Sequence, residues 1–295
     1  MASVTIGLVT HNRPHLLKRA IKSVVDQTFI DWELLISDDN STEETALLAK
    51  EYTASDARIK YVRWDGIGMT KNFIESMKMA DSKYFMWLCD DDWLGDNFIE
   101  ECVQFLEANP DHVACCGTTQ FMKDGVVQRA NDVLNFEQAQ PAERITDYYK
   151  KVNSNVILYG LMRLDKIPAT IVYPDTFGAD LLFSSQIAYL GKIKTLDHVA
   201  FYYSEHGISQ DQNKLAKYYG LKGRMLANPY NSLRVGVFSL ISSGSIVFKN
   251  LHKIQRWFLA LRCSLIIRER FCMSATEAKI RKSLRIGTRI KQVFR

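Results

Sequence analysis

The chain has 295 residues, of which 47% are hydrophobic, and a formal net charge of +5. This length and apolar content exclude a disordered protein and allow one large domain, with or without an appendage, around a substantial core. The charge is uneven, because residues 220–295 hold 16 of the 38 Lys and Arg residues and only two acids. We therefore expect an acidic body and a basic C-terminal end that faces an anionic surface.

Six cysteines lie mostly inside apolar runs and show no CxxC spacing. They are typical of free thiols in a reducing compartment rather than of a disulfide framework. The first residues pass directly into a strand pattern, without a basic lead or a small-residue cleavage site. These features predict a cytoplasmic protein.

Apolar runs alternate with helical patterns over the first hundred residues. The runs at 4–9, 32–36, 59–62 and 83–88 predict four strands, and a helical pattern follows each of the first three. This alternation predicts a parallel sheet that is covered by helices on both faces and joined by right-handed crossovers.

From residue 113 the pattern becomes mixed. Residues 113–117 and 120–123 are strand candidates, and the polar stretch 131–144 indicates a loop. A helix is predicted to begin near Asp180, and a further strand is predicted at 195–203.

Polar clusters follow the four N-terminal strands, at or soon after their carboxyl ends. The clusters are residues 10–13, residues 38–41, Lys71 with Asn72, and residues 90–92. Because the carboxyl ends of parallel strands meet at one edge of a sheet, where α/β proteins bind their ligands, we expect these side chains to converge.

The last cluster consists of three consecutive carboxylates, Asp90, Asp91 and Asp92, after an apolar run. Neighbouring carboxylates resist ionising together, and a hard divalent cation with oxygen ligands relieves their repulsion. An isolated acidic triplet is more often a solvated turn, but convergence with three other clusters favours a metal and nucleotide site. An EF-hand is excluded because the acids are contiguous.

These clusters, in this order, resemble the family-2 glycosyltransferases, whose nucleotide-binding fold is of the GT-A type. The matching segments are residues 4–13, 34–41, 66–72 and 85–92. The resemblance implies an α/β protein with a Rossmann-like mixed sheet flanked by helices.

The resemblance also implies a division of the chain. A GT-A catalytic domain would cover residues 1–215, with a nucleotide-sugar-binding half at 1–105 and an acceptor-side half at 106–215. A basic, amphipathic helical extension would follow at 216–295.

Family members transfer a sugar, with inversion at the anomeric carbon, from a nucleoside diphosphate sugar, usually a UDP-sugar, to an acceptor hydroxyl, with Mn²⁺ or Mg²⁺ as cofactor. The residues that would bind the donor by resemblance are Thr10, Asn12, Arg13, Asp39, Lys71, Asn72, Asp90 and Asp91. The implied metal contacts are Asp92, Asp90 and, after a loop closes, His206.

An acceptor hydroxyl is a poor nucleophile until a positioned carboxylate removes its proton. The family usually carries an acidic pair for this step at a helix start, where this chain has Ala179 and Asp180. We predict Asp180 as the catalytic base, with Asp175 in reserve. Because Ala179 replaces one acid of the pair, a catalytically silent nucleotide-sugar-binding or partner-binding protein stays open as an alternative.

The basic end predicts a helix over residues 249–265. The apolar residues that share one stripe of this helix are Leu251, Ile254, Trp257, Phe258, Leu261 and Leu265, and Lys249, Lys253 and Arg256 lie opposite. Such a helix either lies in a lipid headgroup layer or packs on the catalytic domain or a second subunit. The basic residues that continue to Arg295 favour an anionic membrane, and no recognised module indicates specific nucleic acid binding.

The combined prediction is a metal-dependent hexosyl- or N-acetylhexosaminyltransferase of bacterial surface polysaccharide or lipid-linked glycan assembly. It would be cytoplasmic and peripheral at the inner face of the membrane. Its expected partners are the nucleoside diphosphate sugar, a glycan or lipid-linked acceptor, and an anionic membrane contacted through residues 249–295; a homo-oligomer is left open.

Overall fold

A nine-stranded mixed sheet flanked by helices forms the body of the protein. The computed structural model describes residues 2–123, 125–130, 133–153, 156–168, 171, 175–204 and 211–273. The strands are β1 Val4–Thr10, β2 Trp32–Asp39, β3 Ile59–Trp64, β4 Tyr84–Cys89, β5 Trp93–Leu94, β6 His112–Lys123, β7 Val126–Ala130, β8 Leu161–Arg163 and β9 Lys192–Tyr203.

The helices cover both faces of the sheet and continue beyond it. They are α1 Pro14–Val25, α2 Glu43–Ser55, α3 Met69–Lys78, α4 Phe98–Ala108, α5 Pro141–Lys151, α6 Ala179–Leu190, α7 Gln212–Tyr218, α8 Gly223–Ala227, α9 Tyr230–Ser242 and α10 Lys253–Ile267. A π-helical turn, Arg268–Cys272, directly follows α10.

The strand order is β3-β2-β1-β4-β8-β6-β9-β5, with β7 paired to β6. The first four strands of this order are parallel, which confirms the predicted parallel sheet of the N-terminal half. The chain runs from β1 outward to β3 and then returns to β4 on the other side of β1. The carboxyl ends of β1 and β4 therefore flank a topological switch point, where open α/β sheets bind ligands.

The apolar character of these strands follows from their position between two helical layers. All seven residues of β1 are buried, as are the first five of β4. Parallel strands covered on both faces are expected to be continuously apolar rather than alternating. Helix α1, which begins at Pro14, covers one face with Leu17, Ile21 and Val24.

Strand β6 joins the two predicted strands 113–117 and 120–123 into one strand of 12 residues. Its pairing with β9 shifts register between Gly117 and Thr118. A Cβ atom at Gly117 would lie 2.7 Å from the carbonyl oxygen of Val199, so only glycine fits this irregularity.

The prediction of a loop over residues 131–144 is wrong in its last part, because α5 begins at Pro141. Arg144 is buried, and its guanidinium donates to main-chain carbonyl oxygens on two segments of the chain. The acceptors are Gln138 at 2.7 Å, Ala139 at 3.0 Å, Ala188 at 2.9 Å and Tyr189 at 2.9 Å. Because these main-chain oxygens accept hydrogen bonds from its guanidinium, Arg144 can be buried although it is charged.

The helices α9 and α10 pack against each other and share an apolar core with the sheet. Helix α9 contributes Leu233 and Val237 to the same apolar cluster as Trp87 of β4 and Phe183 of α6. The described residues contain no helix that combines the length and the apolar character needed to span a bilayer.

Helix α10 buries a different stripe from the one predicted to be its apolar face. Its buried residues are Leu259, Ala260, Cys263 and Ile267. From the predicted stripe, Ile254, Trp257, Phe258 and Leu265 are exposed. The helix therefore has apolar residues on two faces, and the predicted stripe is not the face that packs on the domain.

Shortening Leu233 should destabilise the whole domain. This residue is fully buried, and a Cβ atom on Gly178 at the start of α6 would come within 3.0 Å of its side chain. We expect Leu233→Ala to lower the free energy of unfolding by about 2–5 kcal/mol in a urea titration. The matched control Val235→Ala, on the exposed side of the same helix, should change it by less than about 0.5 kcal/mol. Equal denaturation midpoints for the two variants would contradict the shared core.

Candidate functional site

A cavity of about 470 Å³ opens at the carboxyl edge of the parallel strands. Residues from all four predicted clusters line it, which confirms their convergence: Thr10, His11 and Arg13 from the first, Asp39 from the second, Asn72 from the third, and Asp90, Asp91 and Asp92 from the fourth. The lining also includes Asp180 at the start of α6 and Tyr218 and Tyr219 at the end of α7.

Asp90 joins the carboxyl ends of β1 and β4. One carboxylate oxygen accepts hydrogen bonds from the Thr10 hydroxyl at 2.8 Å and from the His11 main-chain N–H at 3.3 Å. The other accepts from the Arg13 guanidinium at 3.3 Å. Burial and, secondarily, the neighbouring Asp91 raise the pKa of Asp90 to about 6, although Arg13 and the Thr10 hydroxyl act in the opposite direction.

Asp91 is held at two points. Its carboxylate accepts from the Arg13 guanidinium at 3.0 Å, and its main-chain oxygen accepts from Arg19 at 2.8 Å. Burial lowers the pKa of Arg13, but Asp90 and Asp91 outweigh it and raise the pKa above the ordinary value. Arg19 lies 3.8 Å above the ring of Trp93. The two cations that face the acids therefore come from α1 and from Arg13, the residue directly before it.

Asp92 connects the cluster to the second half of the sheet. It is buried, and one carboxylate oxygen accepts from the main-chain N–H of Ser204, just after β9, at 3.0 Å. Burial and then Asp91 raise the pKa of Asp92 well above its ordinary value. The three acids therefore place carboxylates of like charge close together in a buried site, which is energetically unfavourable.

The residues at this point fit a divalent metal ion. Ligand atoms of Cys89, Asp91 and Asp92 all lie within 4.8 Å of one another. A cation bound there would stabilise the buried carboxylates of Asp91 and Asp92 in their ionised form. Asp90, a predicted metal ligand, accepts hydrogen bonds from the Thr10 hydroxyl and the His11 main-chain N–H instead. The other predicted ligand, His206, lies outside the described residues.

Asp39 and Asn72 line the cavity and also hold its wall together. The carboxylate of Asp39 accepts from the N–H groups of Ile67 at 2.6 Å and Gly68 at 3.0 Å, where the chain turns into α3 with a φ of +86° at Gly68. Asn72 is buried, and its amide donates to the main-chain oxygen of Ser37 at 3.0 Å.

Asn12 and Lys71 are exposed. Neither of them is among the described residues that line the cavity. Asn12 adopts a φ of +57°, which asparagine tolerates better than most residues. Its N–H donates to the Ser41 hydroxyl at 2.8 Å, and its side-chain oxygen accepts from the Thr42 N–H at 2.7 Å. Asn12 therefore joins two loops at the edge of the site.

Asp180 occupies the first turn of α6, as predicted, after Gly178 with a φ of +78°. Its half-buried side chain lines the cavity. Asp175 is exposed, and its carboxylate accepts from the Thr70 hydroxyl at 2.7 Å. Of the two candidate bases, Asp180 is the one that faces the cavity.

Sequence reasoning missed several residues of the cavity. Cys89 could have been found because it directly precedes the acids, and its Sγ lies 3.3 Å from the Tyr159 hydroxyl oxygen. Tyr159, Tyr218 and Tyr219 carry no motif that would have identified them. Burial and, secondarily, the nearby carboxylates of Asp180 and Asp175 raise the pKa of Tyr219 to about 12.

The sequence profile of glycosyl transferase family 2 matches residues 5–167, which is more than half of the chain. The chain belongs to glycosyltransferase family 2. The matched region contains the four clusters, and Asp180 lies beyond its end.

Curated relatives of this family-2 member include two glucosyltransferases. One is the GalNAc(5)-diNAcBac-PP-undecaprenol beta-1,3-glucosyltransferase of Campylobacter jejuni, 31% identical over 42% of this chain. The other is the UDP-Glc:alpha-D-GlcNAc-diphosphoundecaprenol beta-1,3-glucosyltransferase WfgD of Escherichia coli, 30% identical over 36% of this chain. The alignments span only 40% and 42% of those two proteins.

Solved structures resemble this family-2 fold over most of its length. Crystal structures of S. aureus TarS match with a TM-score of 0.64 at 15% identity over 90% of this chain and 72% of that one, and of 0.63 for its complex with UDP-GlcNAc. The mannosyltransferase PcManGT of Pyrobaculum calidifontis, in complex with GDP-Man and Mn²⁺, matches at 0.52 with 14% identity, over 90% and 85% of the two chains. These similarities confirm the GT-A fold.

Removing one buried charge should stabilise the metal-free protein. The pKa of Asp92 is higher in the folded than in the unfolded chain, so this one group contributes less to stability as the pH rises above about 4. Asp92→Asn retains an acceptor for Ser204 and should raise the unfolding temperature at pH 8 by about 3 °C or more, since 1 kcal/mol corresponds to roughly 2–4 °C at this size. The difference should shrink toward pH 4 in calorimetry with a chelator present.

The matched control for this experiment is Asp111→Asn. Lys192 and His112 lower the pKa of Asp111 to about 2, so this exposed carboxylate favours the folded state when ionised. Its loss should leave the unfolding temperature unchanged or lower it slightly at pH 8. A stability gain at Asp92 that does not depend on pH would contradict the charge argument.

Proposed function

We propose that this protein is an inverting, metal-dependent glycosyltransferase that transfers a hexosyl or N-acetylhexosaminyl group from a UDP-sugar to a hydroxyl of a lipid-linked glycan. The observation that carries this proposal is one cavity lined by both the buried acids at the end of β4 and Asp180 at the start of α6. A sugar transfer needs both elements, because negative charge develops on the leaving diphosphate while the acceptor hydroxyl loses a proton.

The names of relatives support the donor and acceptor classes. WfgD is named for UDP-Glc and a diphosphoundecaprenol-linked sugar, and the Campylobacter jejuni relative for an undecaprenol-linked glycan. We extend these classes to this chain, with bacterial surface polysaccharide or lipid-linked glycan assembly as the setting. Six free cysteines agree with a reducing cytoplasm, where we propose that the protein works.

The donor would occupy the carboxyl edge of β1 and β4. Thr10, Arg13 and Asp90 would lie beside its ribose and diphosphate, and Asp39 beside the base. Asn72 would contact the nucleotide from α3. Two further predicted contacts, Asn12 and Lys71, would have to reach it from outside the cavity lining.

Mn²⁺ or Mg²⁺ would be held by Asp91 and Asp92, with Cys89 and Asp90 adjoining, and it would supply Lewis-acid stabilisation of the departing diphosphate. His206 stays a predicted ligand. Arg13 adds a fixed positive charge next to Asp90 and Asp91, so the cavity wall is not uniformly repulsive to a diphosphate.

The transfer step would depend on Asp180. Its carboxylate accepts the proton of the acceptor hydroxyl while the acceptor oxygen bonds to the anomeric carbon. The bond from that carbon to the diphosphate oxygen breaks on the opposite side, and the configuration inverts. The first turn of a helix favours negative charge, which suits a residue that must be ionised before it accepts a proton.

Nucleotide binding should depend on the metal. UDP with Mn²⁺ should raise the unfolding temperature more than UDP alone, and more than GDP or TDP with Mn²⁺, because ligand binding to the folded state stabilises it. Asp92→Asn should lose the additional rise in unfolding temperature that Mn²⁺ gives with UDP. The control Asp165→Asn, at an exposed carboxylate, should keep this additional rise. A wild-type protein that responds to none of the nucleotides would contradict the donor site.

Changing the base should separate binding from chemistry. Asp180→Asn should retain the UDP-dependent thermal shift but lose roughly 10²-fold or more of the transfer rate, measured by mass spectrometry of an acceptor glycan. Asp175→Asn should stay within a few-fold of the wild type. An active Asp180→Asn variant would disprove the assignment of the base. A wild type that binds UDP with metal, yet neither transfers nor hydrolyses any sugar from a panel of donors, would favour the catalytically silent binding protein.

A further inference from the structure

Helix α10 leaves a continuous apolar face exposed on the side opposite the core. The side chains of this outer face are Ile254 at 60% exposure, Trp257 at 51%, Phe258 at 63% and Leu265 at 38%. They recur at spacings of three, four and seven along the helix, so they lie on one side of it. Phe238 of α9 contacts Trp257 edge-on, with 6.1 Å between ring centroids, and extends the face onto the neighbouring helix.

Exposed basic residues surround this outer face. Lys249 and Lys253 flank its N-terminal end, and Arg262 and Arg268 flank its C-terminal half. Between residues 220 and 273 the chain has nine Lys and Arg residues and one acid, Glu269. Large exposed aromatic residues inside a basic rim fit a layer of anionic lipid headgroups, in which the rings enter the interface and the cations meet phosphates.

The charge of the rim argues against a second copy of this chain as the occupant. A symmetric pair of α10 helices would bring two sets of Lys and Arg residues together, and like charges across an interface cost several kcal/mol. A bilayer that contains anionic lipid supplies the opposite charge. We propose that the outer face of α10 binds the surface of an anionic bilayer, with Trp257 and Phe258 inserted between the headgroups.

The helix is fixed rigidly enough to hold the catalytic body against that surface. After α10, the Arg270 guanidinium donates to the main-chain oxygen of Tyr149 at 2.9 Å and to the side-chain oxygen of Asn153 at 2.7 Å. The ring of Phe271 stacks on Tyr230 at 4.6 Å. The inner face of α10 packs on α9, and α9 packs on the start of α6, the helix that carries Asp180.

This surface goes beyond the proposed transfer reaction, and vesicle binding needs neither sugar nor nucleotide. The test uses the full chain and sedimentation with vesicles of phosphatidylcholine and phosphatidylglycerol at 3:1, and of phosphatidylcholine alone. The wild type should bind the mixed vesicles at least tenfold more tightly than the neutral ones. The double variant Trp257→Ala, Phe258→Ala should bind the mixed vesicles at least tenfold more weakly than the wild type.

A matched control removes two exposed apolar residues elsewhere. Ile30→Ala, Leu47→Ala should bind like the wild type, because these side chains, 75% and 52% exposed, belong to the N-terminal half. Trp257→Phe should retain binding but lose the blue shift of tryptophan fluorescence on vesicle addition. Unchanged unfolding temperatures and circular dichroism spectra would establish that the variants are folded.

Three results would overturn the proposal. The wild type could fail to bind mixed vesicles, or the Trp257, Phe258 double variant could bind them as tightly as the wild type, in which case the basic sequence alone attracts lipid. The wild type could also form a dimer without lipid that the double variant abolishes, in which case the outer face is an interface between copies. Each result leaves the donor and base experiments unaffected, so the two proposals fail separately.

Discussion

The structure depends on keeping three carboxylates buried together at the end of β4. Their partners come from separate parts of the chain: Thr10, Arg13 and Arg19 from the first βα unit, and the Ser204 N–H from the end of β9. Burying like charges is unfavourable, and the raised pKa values of Asp90 and Asp92 express that cost. The fold accepts a destabilised group where function requires charge, as active sites commonly do.

The strand order explains why this cost is concentrated at one point. The chain moves from β1 to β3 on one side and returns to β4 on the other side of β1. Open sheets leave a crevice at such a reversal of the strand order, here between the carboxyl ends of β1 and β4. Asp90 lies at the β4 side of this crevice and Thr10 at the β1 side, and their hydrogen bond joins the two strand ends. The same crevice is extended by α6 and α7, so residues more than a hundred positions away complete the cavity.

The local sequence pattern was sufficient to predict the strands and helices of the N-terminal half, because these have distinct periods and because polar clusters mark the strand ends. It was insufficient where contacts between distant parts of the chain decide which residues are buried. Arg144 looks like a loop residue until its acceptors in α6 are known, and α10 carries apolar residues on two faces, of which only packing against α9 selects the buried one. Cys89 is adjacent to the acids in sequence, but its approach to Asp91 and Asp92 depends on backbone geometry.

The joint burial of α9 and α10 limits how this protein can be recombined with its relatives. A fragment that ends before Lys253 would uncover the side of α9 that packs on α10, and a chimera that exchanged α10 alone would have to match the surfaces of α5 and α9 at once. The C-terminal helices α9 and α10 are therefore a packed part of this domain and not a segment that can be exchanged by itself. Any change of α10 between family members would consequently require compensating changes in α5 and α9.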